Sequence, residues 1–261
     1  MPERTQILNR IYSKYDEESR LVKSRAGELE FYTTMKYIHE LFPAGSKLLE
    51  TGAGTGRYSV RLAKEGYDVT AVELVEKNLE LLKKNGAGVK NLIAVQGDAT
   101  KLPFAECTFD GVLCLGPMYH LYEADEINLA IDEALRVTKT GGVLFFAFLS
   151  VYALLLNNFM KNNFEAGYNE YFTEGGTVRH FAEQGFTGWN IDEFEALFSG
   201  KNVQHLKTVS VDGNLELAEK IADFKMTDHH FKKFCKYHLE NCEKRELLGA
   251  SSHLLYVCKK M

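Results

Sequence analysis

Three acidic residues follow three short apolar runs in the first half of the chain, a pattern suited to binding a nucleoside. The first run leads into a glycine-rich turn, Glu50-Thr51-Gly52-Ala53-Gly54-Thr55-Gly56-Arg57, and glycine lets a ligand approach the backbone closely. Glu73 closes the second run, where a carboxylate can accept hydrogen bonds from two ribose hydroxyls. Asp98 follows the third run, where it can accept a hydrogen bond from an exocyclic adenine amine. The set therefore predicts a ligand that contains a ribose and an adenine.

The spacing of the glycines separates two kinds of nucleotide site. The dinucleotide fingerprint is G-x-G-x-x-G. This turn reads G-x-G-x-G, and Arg57 stands where the third glycine of that fingerprint would fall. The spacing therefore disfavours NAD, and a nucleotide-dependent oxidoreductase is the last of the alternatives. Each feature alone is weak, but the turn, Glu50, Glu73 and Asp98 are jointly hard to obtain by chance.

Alternating strand and helix patterns are predicted to bring these acids together. Strand-like and helix-like runs follow one another between residues 47 and 150. The predicted strands cover 47–49, 68–74, 92–96, 111–115 and 142–149, and the predicted helices cover 57–65, 75–84 and 124–137. Such alternation is typical of a parallel sheet with helices on both faces. Because ligands bind outside the carboxyl ends of such strands, we expect the three acids to line one crevice.

The regions on either side of this alternation are predicted to be helical additions to one α/β domain. Residues 6–42 carry a long helical pattern, and residues 1–42 are interpreted as an N-terminal flap. Three of its tyrosines are predicted either to form a lid over the ligand or to pack within the helical region: Tyr12, Tyr15 and Tyr32. The domain itself covers residues 43–261, with substrate-cap insertions at about 151–190 and 214–246. Aromatic residues of the first insertion are predicted to form either a cap or a plain core, namely Phe159, Phe164, Tyr168, Tyr171, Phe172 and Trp189.

Composition and charge limit the classes of partner. The chain has 261 residues, of which 45% are hydrophobic and 26% are charged, and its net charge is −5. This acidic balance argues against nucleic acid as a partner. No apolar run approaches the roughly 18 residues that span a bilayer, and the five cysteines include no C-x-x-C pair. We therefore expect a cytoplasmic, soluble protein with no membrane or metal partner, and the oligomeric state stays open.

The glycine turn and the acids resemble the class I S-adenosylmethionine-dependent methyltransferase family, and within it the small-molecule branch that is similar to ubiquinone and menaquinone biosynthesis methyltransferases. The resemblance covers about residues 45–150. It implies S-adenosylmethionine as the cofactor. It also implies an α/β, Rossmann-like fold with a seven-stranded, mostly parallel sheet, an antiparallel last strand and helices on both faces. Residues 204–211 and 252–258 would form the two antiparallel arms.

The resemblance also implies a role for each residue of the predicted cofactor site. Glu50 orders the glycine turn and holds the methionine amino group. The matched glycines admit the methionine part of the cofactor, namely Gly52, Gly54 and Gly56. Glu73 holds the ribose hydroxyls, and Asp98 with Ala99 contacts the adenine. Leu115 ends a run that resembles the fourth strand of the family and completes the predicted site.

The segment Leu115–Leu121 is expected to lie where the methyl group points, so the predicted catalytic residues come from it. His120 titrates near neutrality and is the predicted general base, with packing on the cofactor or capping of the next helix as the alternative. Tyr119 is the second predicted catalytic residue, with packing or orientation as the alternative. The segment has Gly116-Pro117-Met118-Tyr119 in place of the Asn/Asp-Pro-Pro-aromatic pattern of amino-directed nucleic-acid methyltransferases. His253, in the last predicted strand, is interpreted as structural.

The predicted activity is transfer of a methyl group to a small-molecule acceptor by in-line displacement. Alignment of the acceptor and exclusion of water can supply much of the barrier reduction in such a reaction. Methylation of a protein or a tRNA is the alternative within enzymes. A binding module that keeps S-adenosylmethionine but not catalysis is the alternative outside them. His180, in the first insertion, is a further candidate for reaching the substrate.

Overall fold

Eight strands form one sheet in the computed structural model, which describes residues 2–161 and 163–261. They are β1 (Lys47–Thr51), β2 (Asp68–Glu73), β3 (Leu92–Gln96), β4 (Phe109–Cys114), β5 (Thr138–Ser150), β6 (Gly188–Trp189), β7 (Val203–Ser210) and β8 (His253–Lys260). Seven of them lie side by side in the order β3-β2-β1-β4-β5-β8-β7. β8 is antiparallel to both of its neighbours, β5 and β7. The predicted seven-stranded sheet is confirmed, and the two-residue strand β6, which pairs with the end of β5, is an addition to it.

Helices cover both faces of this sheet. In the described ranges they are α1 (Pro2–Lys14), α2 (Arg25–Leu41), α3 (Arg57–Lys64), α4 (Glu76–Asn85), α5 (Ala124–Val137), α6 (Val151–Phe159), α7 (Phe164–Tyr171), α8 (Ile191–Ala196), α9 (Leu215–Glu219), α10 (Asp228–Asn241) and α11 (Arg245–Leu248). The predicted helix at 124–137 begins and ends at the observed residues. No helix within the described ranges is both long and apolar enough to cross a membrane.

The core lies in two layers because successive strand residues point to opposite faces of the sheet. Leu48 of β1 and Phe145 of β5 pack with α2 and α3 on one face. Their neighbours in sequence, Leu49 and Phe146, pack with α5 on the other face. All four side chains are fully buried, and burial of each contributes roughly 1.5–3 kcal/mol. Since both faces are covered, the central strands read as continuous apolar runs, which is typical of parallel sheets.

The N-terminal region consists of two helices with different roles, which corrects the predicted flap over residues 1–42. α2 belongs to the core, because Leu29, Tyr37 and Ile38 have no exposed surface. The Ser24 hydroxyl caps α2 by accepting a hydrogen bond of 3.0 Å from the Gly27 amide, so the chain turns before this helix begins. Among the described residues of this region, those that line the cavity at the carboxyl edge of the sheet belong to α1 and to the connection at residues 15–24.

The two predicted insertions form packed helical layers. α6 and α7, in the first insertion, share a small apolar cluster of Val151, Leu155, Tyr171, Phe172 and Val178. α9 and α10, in the second insertion, pack against the start of α2. Each insertion therefore buries its apolar residues mainly against its own or neighbouring helices.

Candidate active site

A cavity at the carboxyl edge of the sheet brings most of the predicted site residues together. It holds about 1100 Å³ of empty space, part of which is open to solvent. Its wall extends along the sheet edge from the residues after β3 to the start of β8. The predicted residues that line it are Glu50, Gly52, Gly54, Glu73, Asp98, Ala99, Leu115, Tyr119 and His120. Gly56 is the one predicted cofactor residue that is outside this wall.

The glycine turn after β1 owes its shape to close contacts that side chains would block. Gly52 has φ +67°, and a Cβ there would lie 2.6 Å from Cδ of Pro117. The Gly52 amide donates to the Val72 carbonyl oxygen at 2.9 Å, which ties the turn to β2. Gly56 has φ +85°, and a Cβ there would lie 2.8 Å from Cγ of Leu82. Gly56 therefore allows α3 to start against α4, whereas Gly52 and Gly54 border the ligand cavity.

Two buried carboxyl groups, Glu50 and Glu73, face the cavity beside this turn. Ser59 Oγ donates to Glu50, and the Gly54 and Val75 amides donate to Glu73 at 2.7 and 2.8 Å. Burial raises the pKa of Glu50 to about 8 and that of Glu73 to about 7, although these hydrogen bonds act in the opposite direction. Among the described residues, no cationic side chain is hydrogen-bonded to the carboxylate of Glu50 or Glu73. The two carboxylates therefore favour a ligand that carries positive charge and hydroxyl donors.

Asp98 lines the cavity as predicted, but its carboxylate already has protein partners. One oxygen, Oδ1, accepts from the amide and the hydroxyl of Thr100, each at 2.9 Å. The other, Oδ2, pairs with the guanidinium of Arg4 from α1. Arg4 is buried and also lies 3.3 Å from Glu126. The predicted contact of Asp98 with adenine therefore requires Oδ2 to share or exchange its Arg4 partner.

His120, the predicted general base, is held at both ring nitrogens. Nδ1 lies 2.7 Å from the carbonyl oxygen of Gly185, so this nitrogen carries a proton and donates it. Nε2 then accepts from the Tyr12 hydroxyl at 2.9 Å. Burial lowers the His120 pKa to about 4, because it outweighs the hydrogen bond to the Gly185 carbonyl oxygen, which acts in the opposite direction. The imidazole is thus neutral at neutral pH, and its lone pair is covered by a tyrosine of α1.

Arg20 and His253 are among the cavity-lining residues that the sequence analysis did not place in the site. His253 was interpreted as structural, but it is the first residue of β8, and the amino end of this antiparallel strand lies beside the carboxyl ends of its neighbours. Its Nδ1 lies 2.7 Å from Oδ2 of Asp212. A polar residue at the first position of the antiparallel last strand was the sequence signal that could have identified it.

Other predicted residues lie elsewhere. Tyr12 and Tyr15 line the cavity, but the Tyr32 side chain is 51% exposed and takes no part in a lid. Trp189 is buried in the main core, where His180 packs on it with ring centroids 4.1 Å apart. In the two insertions, the residue that lines the cavity is Phe186. The cap role of the remaining aromatic residues in the first insertion finds no support in the described contacts.

The sheet order, the glycine turn after β1 and the acids at the end of β2 and just after β3 resemble those of class I S-adenosylmethionine-dependent methyltransferases. Residues 49–146 match a family model described as a methyltransferase domain. The resemblance found in the sequence is thereby confirmed, and S-adenosylmethionine is the cofactor of this class.

Curated relatives narrow the resemblance. The chain is 32% identical over 136 residues to a demethylmenaquinone methyltransferase of Clavibacter sepedonicus, a match that covers 52% of this chain and 54% of the relative. It is 38% identical over 100 residues to a demethylmenaquinone methyltransferase of Renibacterium salmoninarum, covering 38% of this chain and 40% of that one. The chain thus spans about half the length of the curated relatives it matches.

Solved structures share the fold over nearly the whole chain. A possible histamine N-methyltransferase of Thermotoga maritima is 17% identical, with a TM-score of 0.60 and coverage of 99% of this chain and 100% of that one. A protein of Pyrococcus horikoshii is 17% identical, with a TM-score of 0.61 and coverage of 95% and 100%. A [4+2]-cyclase, 16% identical with a TM-score of 0.58 and coverage of 88% and 81%, has the same fold. These likenesses show the fold alone.

The residues at the cavity fit S-adenosylmethionine. Its sulfonium and ammonium charges match the two buried carboxyl groups, Glu50 and Glu73, which have only hydrogen-bond donors as protein partners in the described residues. Its ribose hydroxyls can donate hydrogen bonds to the carboxylate of Glu73, the last residue of β2. Gly52 and Gly54 line the cavity without a side chain, so a ligand can approach the backbone of the turn closely.

Proposed function

We propose that this chain transfers a methyl group from S-adenosylmethionine to a small-molecule acceptor by in-line displacement. The observation that supports this most directly is a single cavity that contains both the cofactor residues of the class and, beyond them, a polar set at β8. The curated relatives named demethylmenaquinone methyltransferases also act on a small molecule, as their name states. S-adenosylmethionine would supply the methyl group from its sulfonium, and loss of this group would leave a neutral thioether.

The proposed cofactor contacts follow the order of the strands along the sheet edge. Glu50 holds the amino group of the methionine part, and Gly52 and Gly54 admit this part beside the backbone. Glu73 accepts hydrogen bonds from the ribose hydroxyls. Asp98, together with Ala99, contacts the adenine, and Leu115 borders the cofactor at the end of β4. Gly56 supports the site through the packing of α3 rather than by direct contact.

The residues of this chain orient the acceptor, limit the access of water and accept a proton. Leu8 and Tyr12 of α1 line the cavity, so this helix limits the access of water to the place where the acceptor and the methyl group meet. Tyr119 orients the acceptor. His120 takes the proton of an acceptor that arrives protonated, once the Tyr12 hydroxyl has left its Nε2.

Binding of S-adenosylhomocysteine tests the cofactor half of this proposal. Saturation at about 100 times the dissociation constant should stabilise the fold by roughly 2.7 kcal/mol, a rise of roughly 5–10 °C in the melting temperature. Glu73→Ala should weaken binding in calorimetry at least tenfold, because it removes the ribose acceptor. Glu80→Ala is the matched control, since Glu80 is exposed on the neighbouring helix α4.

Two outcomes would contradict the proposal. Unchanged affinity in Glu73→Ala would remove the ribose contact. A well-folded protein that binds no S-adenosylhomocysteine, or that binds NAD in its place, would overturn the cofactor assignment and with it the proposed methyl transfer.

A further inference from the structure

The cavity extends beyond the cofactor residues toward a second polar set. The acids of the proposed cofactor site lie at the carboxyl ends of β1 and β2 and just after β3, and these strands occupy one half of the sheet. The other half of the cavity wall is bordered by β4, β5 and β8, and there Arg20, Tyr119 and His253 line it. The rings of Tyr119 and His253 lie 6.1 Å apart between centroids and nearly perpendicular, at 74°. An acceptor beside the methyl group therefore meets these three side chains.

Arg20 presents donors to the cavity while its main counter-charge lies behind it. Its NH1 nitrogen donates to both carboxylate oxygens of Glu30, at 3.0 and 2.7 Å. Glu30 is buried and does not line the cavity, whereas Arg20 does. Its Nε nitrogen reaches Glu17, a cavity residue, at 3.3 Å. The NH2 nitrogen has no hydrogen-bond partner within residues 2–161 and 163–261, and guanidinium donors of this kind recognise oxygen anions.

His253, like Arg20, lines the cavity and is hydrogen-bonded to a buried carboxylate outside the cavity wall. Its Nδ1 donates to Asp212, a residue that is 1% exposed and lies outside the cavity wall. The hydroxyl of Ser251 and the amide of Ser252 also donate to Asp212, at 2.5 and 3.0 Å, so the carboxylate is fixed. Because Nδ1 is committed to Asp212, Nε2 is the nitrogen that titrates, and among the described residues it has no hydrogen-bond partner.

The charges around His253 keep its imidazole protonated. Burial by itself lowers the His253 pKa, but Glu30 and Asp212 outweigh it and raise the pKa to about 9, with Arg20 acting weakly in the opposite direction. A third carboxylate, Glu216, has an oxygen within 4.8 Å of the ligand atoms of His253 and Asp212. At neutral pH, Nε2 is therefore a cationic N–H donor.

We propose that Arg20, Tyr119 and His253 form the acceptor subsite, and that this subsite binds an acidic hydroxyl, a phenol or an enol, as its anion. The inference rests on the proposed function and names the substrate class of the same cavity. The proton of an acceptor that arrives protonated passes to Nε2 of His120, once the Tyr12 hydroxyl has left it, and from there to bulk water. A bond then forms between the methyl carbon and the acceptor oxyanion while the sulfur–methyl bond breaks, and the negative and positive charges cancel.

The binding of 4-nitrophenol, with nitrobenzene as the analogue that lacks the hydroxyl, tests this subsite in the full chain saturated with S-adenosylhomocysteine. Absorbance of the nitrophenolate reports ionisation of the bound probe without any turnover. We expect 4-nitrophenol to bind at least tenfold more tightly than nitrobenzene and its apparent pKa to fall by at least about one unit on binding. His253→Gln and Tyr119→Phe should each reduce the preference for 4-nitrophenol at least fivefold.

The controls separate this inference from the proposed function. His205→Gln makes the same change at a histidine of β7 that packs on Tyr256 outside the cavity, and it should alter neither quantity. Tyr119→Phe removes a single hydroxyl and keeps the test valid if His253→Gln does not fold. Equal affinity for the two probes, no binding of either, or an unshifted nitrophenol pKa overturns the subsite. Failure to bind S-adenosylhomocysteine overturns the proposed function instead.

Discussion

The pKa values of two histidines at the cavity are shifted in opposite directions because their surroundings differ. Burial, with a smaller contribution from the charge of Arg4, lowers the pKa of His120 to about 4. At His253 the carboxylates of Glu30 and Asp212 outweigh burial and raise the pKa to about 9. At neutral pH the cavity therefore presents one neutral imidazole that can accept a proton and one imidazolium that can donate a hydrogen bond.

The proposed role of His120 makes a pH-dependent prediction. His120→Ala should lower turnover of a phenolic acceptor at least about 100-fold below the acceptor's own pKa, where a proton must be removed. Above that pKa the loss should be less than tenfold, since the acceptor arrives as its anion. Rate profiles against pH for the wild type and the variant measure this difference.

Tyr12→Phe is the control for that experiment. It removes the hydroxyl that bonds His120 Nε2 but keeps the imidazole, so turnover should be retained. A loss below tenfold for His120→Ala at every pH would assign His120 to packing against Phe186, whose ring centroid lies 4.7 Å away.

At the scale of elements, α1 is the part of the structure that covers the cofactor half of the cavity. Arg4 holds Asp98 at one end of this helix, and at the other the Tyr12 carbonyl accepts from Lys77 Nζ of α4 at 2.8 Å. The connection after α1 reaches the glycine turn, because a Cβ at Gly54 would lie 3.3 Å from Cγ of Glu17.

Arg4→Ala should loosen this cover. The variant removes the ion pairs with Asp98 and Glu126, so amide hydrogens of residues 4–14 should exchange at least threefold faster than in the wild type. Hydrogen exchange measured by mass spectrometry reports this directly. Arg10→Ala, a change at an exposed arginine of the same helix, should leave the exchange rates unchanged. Equal rates in all three proteins would show that Arg4 does not hold α1 in place.

At the scale of the whole molecule, the buried charges of the acceptor side tie stability to pH. The folded-state pKa of His253 is raised from 6.5 to about 9, so its contribution is fully present below about pH 6.5 and is lost as the pH rises through about 9. Its size is on the order of 2–3 kcal/mol. The raised pKa values of Glu50 and Glu73 also make stability fall as the pH rises, from about 4.5 to about 8.

Comparison of His253→Gln with the wild type isolates the contribution of this residue. Urea unfolding at pH 6 and at pH 9.5 should show that the wild type loses on the order of 2–3 kcal/mol more than the variant between the two pH values. His205→Gln should lose as much as the wild type, because His205 packs outside this charge network. An equal loss in the wild type and His253→Gln would mean that His253 is not protonated in the folded protein at neutral pH.

The sequence by itself determined the parallel part of the sheet and most of the predicted residues that line the cavity beside β1, β2 and β3. Strand residues alternate between two buried faces, helix residues recur at helical spacing, and Glu50, Glu73 and Asp98 stand where strands end, so each of these signals is local. The lid residues Tyr12 and Tyr15 were also predicted, but α2 was assigned to the flap, since a helical pattern does not reveal which helix faces a sheet.

Only the tertiary structure decided the acceptor half. Arg20 and His253 lie 233 positions apart in the chain, and their donors face one cavity because Glu30 and Asp212 hold them from behind. The proton affinity of His120 likewise depends on burial beneath α1 and on Gly185, a residue of a distant loop. Burial and electrostatic pairing are properties of atoms that meet in space, and for these residues no local pattern in the sequence records which atoms will meet.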